Sequence, residues 1–352
     1  MSEVSVRAIG RGEEDARLWR SYVASHPDVT TYHSLAWRAV LETSFGYRSW
    51  YLLAQTEDRV VGCLPLFQVT SPLGRRLVAV PFRDRGGVLW SHPDAFHALV
   101  REGARILAQQ RASFLELKSV VDYPPELLEP HGLRERRYWV RSALDLHEAS
   151  PKRLLQRVGK KTRNMLRQAE RAGLVFTEER DALATWYPLH LITQKDLGLP
   201  PFSRRYFANL LRELGPEAAR VFVVRRDQVA VAAAIVLLSG MTGSYAYSAS
   251  LPAGRAFRPN DFMVFNLITW LGEQGFRGFD MGSDAPSQES LLSFKKKWGA
   301  EQASIPSYTL GEAADWIADS SSPRYRRLRA CFRHLPIPVL RALGGFTTRY
   351  FG

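Results

Sequence analysis

Two kinds of apolar spacing alternate along the chain, and their order repeats. Residues 50–67 read WYLLAQTEDRVVGCLPLF: an apolar run, a polar turn around Glu57 and Asp58, and a second apolar run. Residues 220–238 read RVFVVRRDQVAVAAAIVLL, with the turn at Arg226 and Asp227. Strand-length apolar runs around a short polar turn predict β-hairpins. Phe96, Val100, Ala104 and Leu107 then recur at helical spacing within residues 92–110, ahead of the strand-like Phe114, Leu115, Glu116, Leu117, Lys118 and Ser119. Met263, Leu267, Trp270 and Leu271 repeat that spacing within 260–274, ahead of Gly278, Phe279, Asp280, Met281, Gly282 and Ser283. Hairpin, helix and strand thus recur at an offset of roughly 165 residues, the mark of a duplicated unit.

The expected fold is α/β, with two tandem domains built on mixed, mostly antiparallel sheets with flanking helices. At 352 residues the chain exceeds what one core usually fills. The repeat divides it into 1–150, 151–310 and a tail, 311–352. A Rossmann unit would open with Gly-x-Gly-x-x-Gly between its first strand and helix, and no such run is present.

Charge changes this picture by its location. Residues 150–173 hold eight Lys/Arg against one Glu, and residues 323–352 hold seven Arg and no acid. Each stretch contributes +7, so the rest of a chain of net +13 is close to neutral. Basicity confined to two elements points to contact with an anionic partner, against a solvated basic face as the plainer reading. Ser150 and Pro151 suit the start of a basic helix and Gly173 its end, with Leu155, Val158, Leu166 and Ala169 as the inner stripe. In the tail, Arg324, Arg326, Arg327, Arg329 and Arg333 precede Leu335, Ile337, Val339, Leu340 and the aromatic Phe346, Tyr350 and Phe351. Cations beside an apolar anchor predict shallow contact with an anionic membrane surface, and packing on the domain is the alternative. Charged residues fill the N-terminus and the longest apolar stretch, 229–238, is far too short to span a bilayer. Cys63 and Cys331 form no Cys-x-x-Cys pair, so neither a metal site nor a redox site is expected. The expected location is cytoplasmic, peripheral at the inner face of the membrane.

Several segments resemble one family. Tyr32, His33, Ser34, Leu35, Ala36 and Trp37 with Phe45, Gly46 and Tyr47 are similar to its opening helix. Gly62, Cys63, Leu64, Pro65 and Leu66, and the run from Pro81 through Phe82, Arg83, Asp84, Arg85 and Gly86 to Gly87, are similar to its first-domain strands and loop. Lys161, Thr162, Arg163 and Asn164 with Arg167, Ala169 and Gly173 resemble its basic linking helix. Asp196, Leu197, Gly198, Leu199 and Pro200, then Phe279, Asp280, Met281 and Gly282, then Phe294, Lys295, Lys296, Lys297, Trp298, Gly299 and Ala300 complete the pattern. The chain resembles, over roughly residues 30 to 310, the FemAB family of GNAT-type acyltransferases, in particular the FemAB-like proteins of exopolysaccharide and exosortase systems. It departs in carrying Ser283 where that branch usually has Arg, and in lacking the long heptad arm of the staphylococcal aminoacyl transferases.

The resemblance implies transfer of an acyl or aminoacyl group to an amine of a cell-envelope glycan or peptidoglycan-type precursor. Acyl-CoA or aminoacyl-tRNA would be the co-substrate, with no tightly bound cofactor, and the acceptor would be an anionic small molecule or lipid-linked. In such a reaction negative charge develops on the carbonyl oxygen, and a donor aimed at it is usually the largest catalytic contribution. The motif makes Lys295 the candidate, against a solvated lysine run at a helix start. Asp280 lies between Phe279 and Met281, so its side chain points away from theirs, as proton acceptor or as a buried carboxylate satisfying backbone donors. Tyr245 and Tyr247 are expected on one strand face, Tyr247 to protonate a leaving group, or both as core. Arg255 and Arg258 stand where an acetyl-CoA site has a glycine-rich turn, and bind phosphate by charge or belong to a surface loop. By family analogy Arg163 and Arg167 face a diphosphate, and Arg85 and Ser283 complete the binding set. A non-catalytic module binding polyanions or a membrane surface is the alternative, and it explains only the charge.

Overall fold

A computed structural model describes residues 3–312, except 58, 73, 120, 148, 149 and 181, and residues 323–351, without the side chains of 323–326 and 328. Of the basic tail, residues 313–322 and the side chains of Arg324 and Arg326 therefore lie outside the described residues. The chain forms two compact units: Met1–Trp139, Ser304–Asp319 and Thr348–Gly352, and Val140–Ala303 with Ser320–Thr347.

The first unit runs β1 (Ser5–Ala8), α1 (Glu13–Ser25), α2 (Leu35–Phe45), β2 (Arg48–Gln55), β3 (Val60–Ser71), β4 (Gly74–Val78), β5 (Leu89–Trp90), α3 (Pro93–Gln109), β6 (Phe114–Lys118) and α4 (Pro125–Leu128). Its local starts are those the residue types favour: Ser34 Oγ accepts from Trp37 N to cap α2, and Gly46 leaves that helix in the left-handed region. The strand order is β1-β2-β3-β4-β6, closed by residues of β13 (Glu301–Gly311), with β4 and β6 parallel and the other neighbours antiparallel where their register is defined. Trp19, Trp37, Tyr51, Phe67 and Phe96 are fully buried in its core.

The second unit repeats the scheme. Residues 140–145 of β7 (Arg134–Asp145) lead into α5 (Pro151–Arg157), α6 (Lys160–Arg171), β8 (Val175–Glu178), α7 (Leu183–Leu197), α8 (Arg204–Ala218), β9 (Ala219–Arg226), β10 (Val229–Ser239), β11 (Thr242–Ser250), α9 (Pro259–Glu273), β12 (Gly278–Asp284) and α10 (Glu289–Lys296). Its order is β8-β9-β10-β11-β12-β7, again with one parallel pair, β11 and β12. Both hairpins and both helix–strand pairs of the sequence pattern are present, β2–β3 with α3 and β6, and β9–β10 with α9 and β12. Leu166, Phe222, Ala234, Val236, Met263, Val264, Leu267, Phe279 and Trp298 share one core cluster. Each large side chain fully buried there contributes roughly 1.5–3 kcal/mol.

Two local expectations are corrected. The basic stretch is two helices: Ser150 Oγ caps α5 by accepting from Arg153 N, but the chain breaks at Val158 and Gly159 before α6 begins. The lysine run closes α10 and does not open a helix, with Lys295 buried and Lys296 exposed. After Leu335, which follows α11 (Pro323–His334), the chain turns into α12 (Ile337–Thr347). Both helices pack against α7. Arg329 donates to Leu197 O from Nε (2.9 Å) and Nη2 (2.8 Å), and Arg333 Nε donates to Asp196 O at 3.1 Å. These cations satisfy carbonyls at the negative end of α7. Among the described residues no helix is long and apolar enough to cross a membrane.

Candidate functional site

The site is built where β11 and β12 part. These parallel strands pair only through Thr242–Ser244 and Gly278–Asp280, although β11 continues to Ser250 and β12 to Asp284. Both are irregular just past that point. On β11, Val236 of the neighbouring strand pairs with Tyr245 and Ile235 with Tyr247, so Ala246 is a bulged residue. Tyr245 and Tyr247 therefore do not share a face, because one extra residue inverts the alternation that the sequence pattern assumes. Tyr245 packs against Phe279, ring centroids 6.1 Å apart, in the core beneath α9, where burial pushes its phenol up to about 12. Tyr247 faces α7 and α8, beside Trp186 and Phe207, with its hydroxyl hydrogen-bonded to that of Tyr206.

On β12 the irregularity is at Gly282, whose φ of +78° suits glycine. Two ion pairs hold this residue from both sides. Gly282 N donates to Asp280 Oδ1 at 2.8 Å, and Arg141 Nε of β7 donates to Asp280 Oδ2 at 3.1 Å. Lys295 Nζ donates to Gly282 O at 3.1 Å and lies 2.6 Å from Asp284 Oδ2. The Asp280 side chain is fully buried, and those of Lys295 and Asp284 are each 10% exposed. A buried charge is tolerated when it is paired; Asp280 and Asp284 each face a cation, Arg141 and Lys295, while the buried Asp284 Oδ2 has no hydrogen-bond partner among the described residues. Ser283 lies opposite Arg141 in the β12–β7 register.

Lys297 Nζ pairs with Asp261 in the first turn of α9 and lies 4.2 Å from the centre of the Phe294 ring. The positive end of the α9 dipole thus already carries a carboxylate. Arg258 precedes it at φ +60°, exposed, and Arg255 pairs with Asp196 across the 3₁₀ turn at Pro252–Phe257. That turn is ordered secondary structure, not an open loop. Arg163 donates from Nη1 to Leu155 O (3.1 Å) and Val158 O (2.6 Å), closing the end of α5, while Arg167 is exposed and bonds Asn164.

The structure therefore groups Lys295, Asp280 and Ser283 around the end of β12 and puts Tyr245 and Tyr247 on the adjoining β11. Arg163, Arg167, Arg255 and Arg258 lie on the helices and turn of the same unit. Arg141, Asp284, Asp261 and Tyr206 complete the constellation and escaped the sequence reading. No spacing rule links them, since each reaches its partner across a strand register or a helix-to-strand contact. Asp284 alone sits within the motif region, four residues after Asp280 on the same strand.

Arg85 belongs to the first unit, where the corresponding parting of parallel strands is filled by the chain. Beyond Val78 and Glu116, Ala79 N donates to Glu116 O at 2.9 Å and Gly86 N to Lys118 O at 3.0 Å. A Cβ on Gly87 would stand 2.6 Å from Lys118 O and overlap the Tyr123 hydroxyl, so only glycine passes there. Arg85 is buried in this loop, its Nε 3.4 Å from Asp84 Oδ1. His33 holds the loop too. Its Nδ1 accepts from Thr30 N, leaving Nε2–H to donate to Gly87 O at 3.1 Å, and burial pushes its pKa down to about 4. Among the described residues no cluster of three metal-ligating side chains occurs.

Comparison with known proteins agrees with this geometry. The model of the family "Acetyltransferase (GNAT) domain" matches residues 156–291. Among solved structures the chain is similar to FemX, at 16% identity and a TM-score of 0.71, covering 92% of this chain and 100% of that one. It is similar to L-PGS from Bacillus licheniformis, at 17% identity and a TM-score of 0.57, covering 98% of this chain and 99% of that one. A tandem GNAT protein from the clavulanic acid biosynthesis pathway matches at 13% identity and a TM-score of 0.57, covering 89% of this chain and all of that one. Among curated proteins no sequence matches. Residues 156–291 thus match a GNAT acetyltransferase domain, and the chain shares its fold with FemX and with a tandem GNAT protein.

Proposed function

We propose that the second unit transfers an acyl or aminoacyl group from a thioester or ester donor to an amine of an anionic, lipid-linked cell-envelope precursor. The observation that carries this reading is the parting of β11 and β12 beyond Ser244 and Asp280, with a bulge at Ala246 on one strand and the Gly282–Lys295 contact on the other. GNAT-family enzymes take their acyl group from acyl-CoA, and an aminoacyl ester would present the same carbonyl chemistry.

In the reaction the amine nitrogen attacks the carbonyl carbon, and the C–N bond forms as charge moves to the oxygen. Collapse then breaks the C–S or C–O bond, the amine loses a proton, and the leaving thiolate or alkoxide takes one up. An ammonium has three N–H donors. Lys295 donates one to Gly282 O and is ion-paired with Asp284, and another of its N–H groups is assigned to the developing oxyanion. Asp280, held by Arg141 and Gly282 N, is assigned to positioning this turn. The Tyr247 phenol, hydrogen-bonded to Tyr206, is assigned to the leaving group. The exposed Lys152, Lys160, Lys161 and Arg171 of α5 and α6 suit a phosphate-bearing substrate.

Those same cations favour the second reading, a polyanion-binding module without chemistry. The two separate in one experiment. Purified protein is incubated with labelled acetyl-CoA or labelled aminoacyl-tRNA and an amine-bearing undecaprenyl-diphosphate sugar, and the acceptor is analysed by mass spectrometry. Transfer from either donor that is lost in Lys295→Met supports the proposal. Tight acceptor binding with no transfer from either donor overturns it in favour of the binding module.

A further inference from the structure

α12 is held on the second unit through Leu340 and Gly344. Leu340 is fully buried, and Gly344 lies so close to Pro201 that any Cβ there would overlap the proline ring. Rotated from this contact, Val339, Leu343 and Phe346 recur at i, i+4 and i+7 and are 44, 40 and 60% exposed. Side chains at that spacing form one stripe along the helix. The stripe is apolar and faces solvent, whereas the charges of α11 and α12 are of one sign: Arg327, Arg333 and Arg341 are exposed, and no acid occurs from residue 323 to the C-terminus. The helix is also preformed. Arg329 and Arg333 fix α11 to the last carbonyls of α7, and Gly198, which ends α7 at φ +68°, lies against the Arg329 backbone.

We infer that α12 is a rigid membrane-docking element, its Val339–Leu343–Phe346 stripe entering the interface of an anionic bilayer while the α11 and α12 arginines engage lipid headgroups. An apolar stripe on a segment whose charged residues are all basic matches a surface that presents hydrocarbon beneath negative charge, and a protein partner would need complementary acids to match it as well. Pro336, before α12, and Pro338, in its first turn, prevent a continuous helix with α11, so the element lies on the surface without spanning it. The inference goes beyond the transfer reaction and rests on the proposed function only for its purpose, access to a membrane-borne acceptor.

The test uses the full chain and vesicles without acceptor, so it fails or succeeds independently of the transfer reading. Cosedimentation is measured with phosphatidylcholine vesicles with and without phosphatidylglycerol, for the wild type and for Val339→Ser/Leu343→Ser/Phe346→Ser. The wild type is expected to bind only the anionic vesicles, and the triple variant to bind them at least about tenfold more weakly with an unchanged melting temperature. Phe346→Trp provides a second readout, because insertion shifts the indole emission to the blue and brominated phospholipid quenches it. Equal vesicle binding by wild type and triple variant, or an indole that stays unquenched, overturns the inference. A wild-type dimer that the triple substitution converts to monomer, without vesicle binding, assigns the stripe to a second copy of the chain and also overturns it.

Discussion

Lys295 illustrates how one side chain carries two obligations. It neutralises the buried Asp284 and is the proposed donor to the oxyanion. Lys295→Ala therefore removes both, leaving an uncompensated carboxylate at a cost of about 3–5 kcal/mol and slowing transfer about 10²-fold or more. The two effects separate in Asp284→Asn/Lys295→Met, which is expected to regain the melting temperature of the wild type while turnover stays low. Recovery of turnover together with stability would mean that Lys295 serves the fold alone. Lys296→Ala, at the exposed neighbour, should change neither quantity. At β11 the partly buried Tyr245 stays neutral through the working pH range, its pKa being pushed up to about 12. Tyr245→Phe should accordingly leave the pH profile of transfer unmoved, whereas Tyr247→Phe should lower turnover. Equal turnover in both variants would remove Tyr247 from the reaction.

At the scale of elements, the break between α5 and α6 sorts the basic residues into two roles. Arg163 closes α5 through the carbonyls of Leu155 and Val158, which its charge makes stronger than a neutral pair. Arg163→Ala should lower stability by about 1–3 kcal/mol, measured by urea unfolding, and leave acceptor affinity nearly unchanged. Lys160→Ala/Lys161→Ala should do the reverse, weakening a diphosphate-bearing acceptor in a salt-dependent way without moving the unfolding midpoint. The opposite assignment of effects would return Arg163 to the substrate. The sequence pattern contained the amphipathic stripe and the Ser150 cap. It did not contain the break, because Val158 and Gly159 are compatible with a continuing helix until the neighbouring core fixes Val158.

For the whole molecule, two buried histidines set an acid limit. His33, in the first unit, and His190, in the second, are held neutral by burial, their pKa values pushed down to about 4 and about 3. Unfolding restores an ordinary value of about 6.5, so between pH 6.5 and 4 the unfolded chain binds more protons than the folded one. Their contribution is therefore complete above pH 6.5 and lost as pH falls, about 2 kcal/mol for each histidine by pH 5. The urea midpoint should decline over this window, and His33→Asn should flatten the decline in proportion. A midpoint that is level from pH 7 to 5 would show that both rings take up a proton without unfolding.

The hairpins, the paired helices and the duplication are readable from spacing alone, because apolar periodicity is a local consequence of which face each element buries. The Phe-Asp-Met-Gly and Phe-Lys-Lys-Lys-Trp-Gly segments likewise mark the end of β12, where the site is proposed, through residue type. The roles of the residues within them are different in kind. That Asp280 is held by Arg141, 139 positions away, that Ala246 turns Tyr247 from Tyr245, and that Lys295 meets Asp284 all depend on strand register and on one helix end reaching one strand. The two units also differ where the repeat is most alike. Residues 79–88 fill the parting of β4 and β6 in one, whereas β11 and β12 of the other simply part. No periodicity distinguishes a loop that folds back between two strands from one that does not, since that outcome depends on contacts such as Gly87 against Lys118 and Tyr123, which exist only once the chain has folded.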